Sequence, residues 1–449
     1  MQLFLDPFFL SKRIDKWSND ATLTLRSFFE VLTTEIRAGN EAYARTLFDH
    51  LGEPNSTCLG MSRGRPRGRG VGNGDTDRIF DRLIQSRAIQ TGLLQDIEDS
   101  ILFVENFGKD KLSDMTTNII TKHLIEYTQN QCELHDIPME ENIPSGYFWE
   151  SQSEEWINIY TKMLVIGHRV ILFVPKAIVS YCKAYTPEIY YNRFVLEFLQ
   201  NENLRIRSAL VQERNNGIQY VTKKDLKERD PQTKDFLRRF TIEHPEILQQ
   251  FKDETNLDSL SDKEISDINI RTVSQSLIQR LRNITPGFNG ATDFHNLTKG
   301  ILEMIFYPHL MNPSKEREIN QGRKRIDLVF QNASKTGIFW RLPNHYKIPC
   351  PHIFIECKNY SRDLGNPELD QMIGRFSTNR GMVGFVVCRS IEDMPLFLER
   401  CRDAYRDNRQ IIIPIVDQDI ITILENYNNF NPDFTERFLN DKIESITLA

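Results

Sequence analysis

Two short segments in the last third of the chain combine carboxylates with a lysine. Asp327 lies in RKRIDLVF, where apolar residues alternate as in a strand, and Glu356 and Lys358 lie two apart in HIFIECKN. Side chains two apart on a strand share a face, so we expect Glu356 and Lys358 side by side. A carboxylate within an apolar strand is costly to bury unless it is paired or binds a metal. The pattern predicts a site built from these three residues.

These residue types suit the hydrolysis of phosphodiester bonds. Asp327 and Glu356 offer the hard oxygen ligands that Mg²⁺ prefers, with Mn²⁺ as the alternative ion, and the backbone carbonyl of Cys357 is a third candidate ligand. Lys358 would orient the attacking water or stabilise the pentavalent phosphate. The alternative interpretation is a surface strand that carries an ordinary ion pair between residues i and i+2.

The elements around these residues follow from hydrophobic periodicity. We predict strands at 325–330, 352–359, 382–389 and 411–416 and helices at 296–307, 367–376 and 393–406, with a last helix beginning at residue 417. This alternation predicts an α/β fold with a mixed sheet flanked by helices, preceded by a larger, helix-rich and mixed N-terminal region. We interpret the long interval between Asp327 and Glu356 as a hairpin or a loop insertion.

Asp327 followed by Glu356, Cys357 and Lys358 resembles the PD-(D/E)xK nuclease superfamily, which has the restriction-endonuclease-like fold. The resemblance covers residues 283–449, and Ile326 replaces the proline that precedes the aspartate in the family pattern. It implies a metal-dependent endonuclease that cuts DNA. RNA stays an alternative substrate, because the same chemistry attacks either backbone.

The resemblance extends to two neighbouring helices. It implies that Glu303, in the helix before the Asp327 strand, adds to the metal site, and that Gln371, in the helix after Lys358, orients water or DNA. Glu303 has an alternative as a surface partner of Lys299, four residues earlier. Gln371 has an alternative as a solvated helix residue, although we favour the functional interpretation. Arg375 follows Gln371 by one helical turn and is expected to reach a phosphate.

Basic residues form two local clusters that suit a polyanionic substrate. The first precedes Asp327, and from it we predict that Arg323, Lys324 and Arg325 contact phosphates. The second is a loop at 62–74, where glycines and a proline disfavour regular structure. Its predicted nucleic-acid-binding residues are Arg63, Arg65, Arg67 and Arg69. For this loop, a flexible basic arm and a disordered insertion are equal alternatives.

Length and composition limit the remaining possibilities. The chain has 449 residues, so we predict an N-terminal recognition or regulatory region at 1–252, a linker and connecting helix at 253–281 and a nuclease domain at 282–449. The formal net charge of −6 argues against a general polycation, so nucleic-acid binding must come from local patches. Seven scattered cysteines without a CxxC pair suit a reducing compartment. We expect a cytoplasmic protein without a signal peptide or membrane span.

The resemblance to restriction-type nucleases of bacteria implies a protein that defends its host against foreign DNA. The same resemblance implies a partner protein such as an ATPase or helicase. The sequence has no GxxxxGK[ST] loop, so we do not expect this chain to hydrolyse ATP itself. A homo-oligomer is expected because one site cuts one strand at a time. Two alternatives stay open, namely a nucleic-acid-binding subunit without catalysis and a nuclease that is latent until a partner engages its N-terminal half.

Overall fold

The chain folds into two compact units in the computed structural model. The structure describes residues 3–59, 80–84, 86–255, 270–319, 324–360, 364–427 and 433–448. The first unit comprises Met1–Gln129 and Met139–Leu260, and the second comprises Asn130–Pro138 and Ser261–Ala449. The sequence did not predict that residues 130–138 would group with the second unit. Within the described ranges, no helix is both long and apolar enough to cross a membrane.

The first unit is built mainly from helices, with short strand pairs between them. Its α-helices are Pro7–Ser11, Lys16–Ala38, Glu41–Thr46, Arg87–Gln90, Ser100–Phe103, Lys109–Ile119, Thr121–Leu134 (which continues past Gln129), Pro187–Ile189, Leu196–Arg205, Lys223–Arg229, Lys234–Glu243 and Pro245–Glu254. Short 3-10 turns occur at Asn55–Thr57, Ile97–Asp99 and Lys176–Ile178, and a π-helical segment at Tyr190–Val195. The antiparallel pairs are Phe4–Leu5 with Val179–Ser180, Glu140–Pro144 with Tyr160–Met163, Phe148–Glu150 with Glu155–Ile157, Val165–Ile166 with Arg169–Val170, and Gln212–Glu213 with Gln219–Tyr220.

The first unit encloses a group of charged and polar side chains. The side chain of Asp99 is fully buried, and its Oδ1 lies 2.8 Å from Lys252 Nζ and accepts a hydrogen bond of 2.7 Å from Tyr185 Oη. Next to it, burial raises the pKa of Glu98 to about 8, and the nearby carboxylates of Asp96 and Asp99 add to the shift. Buried charges of this kind are stable only when they are paired or neutralised.

The second unit contains a five-stranded mixed sheet, and we label only the elements of this unit. Strands β1 to β5 stand in sequence order across the sheet, with β1–β2 and β2–β3 antiparallel and β3–β4 and β4–β5 parallel. In chain order the elements are α1 (Ile270–Asn283), a 3-10 turn (Phe288–Gly290), α2 (Ala291–Phe306), β1 (Leu310–Ile319), β2 (Lys324–Asn332), α3 (Gly337–Asn344), β3 (His352–Lys358), α4 (Asn366–Ile373), β4 (Val383–Cys388), α5 (Met394–Asn408), β5 (Ile411–Val416), α6 (Asp417–Asn426) and α7 (Phe434–Thr447).

The sequences of the parallel strands explain their place in the sheet. All six residues of β4 are buried, and so are five of the six in β5. Continuous apolar strands of this kind need cover on both faces, which helices in an α/β layer structure provide. Pro414 is tolerated in β5 because this strand lies at the edge of the sheet, where one row of backbone donors has no neighbouring strand to bond.

The mixed α/β class and the mixed sheet are confirmed, but helices α3 and α7 and strand β1 were not predicted. The interval between Asp327 and Glu356 joins the antiparallel neighbours β2 and β3, as a hairpin does, and its connection contains helix α3, which was not predicted. Strand β1 escaped prediction because LMNPSKEREI has few apolar residues and includes a proline. Both features are compatible with an edge strand.

Replacing Phe385 tests the packing of this core. Phe385 in β4 is fully buried, and its ring centroid lies 5.2 Å from that of Phe306. We expect Phe385→Ala to lower the free energy of unfolding by about 3–5 kcal/mol, because it leaves a cavity in the core. Urea unfolding followed by circular dichroism measures the change. The exposed Leu396 is the control, and Leu396→Ala should stay within about 0.5 kcal/mol of the wild type. Equal stability of the two variants would contradict this packing.

Candidate active site

Asp327 lies where strands β2 and β3 stop pairing. The regular register runs from Gln331 opposite His352 to Leu328 opposite Ile355, and Asp327 comes next on β2. Its Oδ2 accepts a hydrogen bond of 3.0 Å from the backbone N–H of Cys357. The carboxylate thus replaces a strand-to-strand hydrogen bond. This contact brings Asp327 beside the segment that carries Glu356 and Lys358.

Glu356 is fully buried and faces two cationic side chains. Its Oε2 lies 3.1 Å from Lys358 Nζ, and its Oε1 contacts the guanidinium of Arg375. Although these ion pairs supply countercharge, neither carboxylate oxygen makes a hydrogen bond of regular geometry. Burial lowers the pKa of Arg375, and the negative charge of Asp327 opposes that shift. Both carboxylate oxygens of Glu356 are therefore buried and lie beside positively charged side chains.

Lys358 connects this carboxylate to helix α4. Its Nζ lies 3.4 Å from Oε1 of Gln371, whose side chain is exposed. Glu368 fixes the start of α4 by accepting a hydrogen bond of 2.9 Å from the backbone N–H of Gly365. Pro367 suits the first turn, where a backbone donor is not needed. Three elements, β2, β3 and α4, thus bring Asp327, Glu356, Lys358 and Gln371 together as the sequence predicted.

The groups around Asp327 and Glu356 limit how a divalent cation could be bound. Burial raises the pKa of the Cys357 thiol far above its usual range, and Asp327 adds to the shift, so this thiol stays protonated. Cys357 can then offer only its backbone carbonyl. Across the ranges that the structure describes, no three His, Cys, Asp or Glu side chains are grouped closely enough to hold a metal. Mg²⁺ commonly binds through one or two carboxylates and keeps several waters, so Asp327 and Glu356 would suffice in number, with Glu356 already paired to Lys358 and Arg375.

Glu303 has a partner that the sequence did not predict. Its Oε2 lies 3.1 Å from Nε2 of His135, and its side chain is partly exposed. Lys299, the alternative partner, is fully buried, and its Nζ contacts the backbone carbonyl of Leu134. Burial lowers the pKa of Lys299 to about 8. The surface pair of Lys299 with Glu303 is therefore wrong, and the contribution of Glu303 to a metal site stays a prediction.

The predicted nucleic-acid contacts are described only in part. Lys324 and Arg325 are the first two residues of strand β2. Arg375 is only 4% exposed and lies against Glu356, so in this structure it neutralises a carboxylate instead of facing solvent. The remaining predicted contacts lie outside the described residues, and these are Arg323, Arg63, Arg65, Arg67 and Arg69.

A cleft of about 520 Å³ opens beside the predicted residues. Its lining contains the predicted residues Asp327, Cys357 and Lys358 together with residues that the sequence had not marked, which are Gly287, Phe288, Ala291, Thr292, His295, Asn359 and Tyr360. Asn359 is buried, and its Nδ2 donates hydrogen bonds to the carbonyls of Thr285 and Gly287. The position of Asn359 directly after Lys358 was the one sequence signal that could have found it.

Comparison with known proteins informs only the N-terminal part. A family model described as a domain of unknown function (DUF8370) matches residues 1–186. No curated protein and no solved structure matches the chain. The matched residues end before Lys252, which pairs with Asp99 inside the first unit. The first unit therefore extends beyond the part that the family model covers.

Removing Arg375 tests its role as the countercharge of Glu356. We expect Arg375→Leu to lower the free energy of unfolding by about 3–5 kcal/mol, because it leaves a buried carboxylate with one partner fewer. The double variant Glu356→Gln with Arg375→Leu should recover much of that loss, because it buries no charge at either position. Chemical denaturation of the three proteins measures both values. A double variant less stable than Arg375→Leu alone would contradict the pairing.

Proposed function

We propose that this protein is a Mg²⁺-dependent endonuclease that hydrolyses phosphodiester bonds of DNA. The observation that carries the proposal is the convergence of Asp327, Glu356, Lys358 and Gln371 from separate elements. A strand that needed only stability would gain nothing from a buried carboxylate with a lysine beside it, because burying ion pairs is costly. The resemblance to PD-(D/E)xK nucleases supports the same function.

Each residue has a task that its surroundings allow. Lys358 lies between Glu356 and Gln371 at the cleft, where its ammonium can orient the attacking water and stabilise the negative charge that develops on the phosphate. Gln371 can hold the same water by accepting a hydrogen bond from it through Oε1. Asp327 and Glu356, with the carbonyl of Cys357, would hold Mg²⁺, which supplies Lewis acidity and a more acidic bound water.

The proposed role extends to cellular context. A DNA-cutting enzyme without its own ATP-binding loop suits bacterial defence against foreign DNA in the cytoplasm, beside an ATPase or helicase. RNA is the alternative substrate, and Mn²⁺ the alternative ion. Because one site cuts one strand at a time, cleavage of both strands favours a homo-oligomer.

Activation by a partner is the second candidate, and one observation favours it. Glu356 is fully buried and already faces Lys358 and Arg375, so a cation must compete with two positive groups for its oxygens. A partner that shifts Arg375 would remove one competitor. This candidate predicts that the purified chain cuts no DNA with Mg²⁺ and that cleavage appears when proteins encoded beside it are co-expressed.

Lysine 358 provides the direct test of catalysis. We expect the purified full chain to cut linear, circular or single-stranded DNA with Mg²⁺ or Mn²⁺ and to lose this activity in EDTA. Lys358→Ala should reduce the cleavage rate by about 10²–10³-fold, the range for loss of one transition-state-stabilising donor.

The control for Lys358→Ala removes an exposed lysine of the same unit. Lys347 has a left-handed backbone (φ 56°), which asparagine tolerates, so Lys347→Asn should fold and cut like the wild type. If Lys358→Ala cuts DNA at the same rate as the wild type, this site is not the source of the cleavage.

Asp327→Asn separates ion binding from folding. The asparagine Oδ1 can still accept the N–H of Cys357, so thermal stability in EDTA should change little. The lost negative charge should raise the Mg²⁺ concentration needed for half-maximal cleavage, by roughly tenfold for about 1.4 kcal/mol of lost attraction. Metal titrations of both proteins measure this value. An unchanged metal requirement would show that Asp327 does not bind the ion.

A further inference from the structure

An exposed phenylalanine stands at the cleft that contains Asp327 and Lys358. Phe288 lines this cleft, yet its side chain is 95% exposed, the highest value among the large hydrophobic side chains that the structure describes. Fully burying a phenylalanine is worth about 1.5–3 kcal/mol. Phe288 does not contribute this stabilisation while its ring is exposed to water. Because the ring lies beside the proposed active site, a bound ligand could cover it.

The loop that presents Phe288 is attached to the strand that carries Lys358. The backbone N–H of Gly287 donates a hydrogen bond of 2.7 Å to the carbonyl of Asn359, the residue after Lys358. In return, Nδ2 of Asn359 donates to the carbonyls of Thr285 (3.0 Å) and Gly287 (2.8 Å). Both sides of the loop before Phe288 are therefore tied to the end of β3.

Arg389 holds the same loop from the end of β4. Its Nη1 donates hydrogen bonds to the carbonyl of Ile284 (2.9 Å) and to Oδ1 of Asn359 (3.2 Å), and its Nη2 donates to the carbonyl of Leu281. Asp417 neutralises Arg389 through an ion pair of 2.7 Å. The loop is thus anchored by the side chains of Asn359 and Arg389, which directly follow β3 and β4.

Two glycines specify the path of this loop. Gly287 has a φ of +103°, which other residues adopt only under strain, and a Cβ on Gly290 would lie 2.1 Å from the carbonyl oxygen of Thr285. Because the loop is anchored and its backbone path is specified, the exposure of Phe288 does not result from a disordered loop. The fold presents an apolar ring in a set position next to Lys358.

We propose that Phe288 stacks on an unpaired nucleobase of single-stranded DNA whose phosphate lies at Lys358. This inference rests on the proposed nuclease function and deepens it by naming the substrate class. Aromatic rings stack on bases without regard to their identity, because every base has a π face. In a duplex, base faces are covered by their neighbours, so the ring can reach only an unpaired or flipped base. The site should therefore prefer single-stranded over duplex DNA.

A fluorescent base in the oligonucleotide tests the contact directly. The probe is a short single-stranded DNA that contains 2-aminopurine, and binding to the full chain is measured in EDTA, where no cleavage occurs. Stacking on Phe288 should quench the fluorescence. Phe288→Ala should lose the quenching and bind about 5- to 150-fold more weakly, the loss expected for one stacked base. Phe288→Trp should restore binding, whereas Phe288→Leu, which keeps apolar volume without a ring, should not.

Tyr346 provides the matched control, because it is another exposed aromatic residue of the second unit, away from the cleft lining. With Tyr346→Ala, the fluorescence quenching of the probe and its affinity should equal those of the wild type. Binding and cleavage by Phe288→Ala equal to the wild type, with no preference for single strands, would overturn the stacking proposal and leave the nuclease proposal intact. A wild type that neither binds the probe nor cuts any DNA, alone or with the proteins encoded beside it, overturns both proposals.

Discussion

The second unit depends on how a buried carboxylate is neutralised. Glu356 occupies the middle strand of the sheet and is fully buried, where an unpaired negative charge would cost several kcal/mol. Its two countercharges come from different places: Lys358 from the same strand and Arg375 from the segment after α4. Their pairing fixes α4 against the sheet, and with it the position of Gln371. The proposed chemistry and the local stability therefore use the same ion pairs.

The first unit solves the same problem with a similar arrangement. Asp99 is fully buried, and Lys252, more than a hundred residues later in the chain, provides its positive partner. Tyr185 adds a hydrogen bond to the same carboxylate. In each unit the acid can be buried because a positively charged side chain from another part of the fold pairs with it. Such pairs contribute less to net stability than to the choice of one packing arrangement.

Local patterns predicted the part of the site that lies on strands. Alternation in RIDLVF and the spacing of Glu356 and Lys358 indicated shared faces, and the structure brings these residues and Gln371 together. Long-range partners left no local signal. The pairing of Arg375 with Glu356 depends on how α4 packs, and that of Glu303 with His135 joins residues far apart in sequence. Helix α3 and strand β1 were missed because Pro343 interrupts one pattern and polar residues fill the other.

Charge balance links ion binding to substrate binding under the proposed function. Lys358 and Arg375 already neutralise Glu356, so a divalent cation held by Asp327 and Glu356 would add positive charge to a site that contains two cationic side chains. A phosphate of the substrate offsets this excess, because its oxygens can face both the cation and Lys358. Ion and DNA should therefore bind with positive coupling, and by thermodynamic linkage each raises the affinity of the other by the same factor. Under the proposed function, the site would therefore bind Mg²⁺ more tightly in the presence of DNA than in its absence.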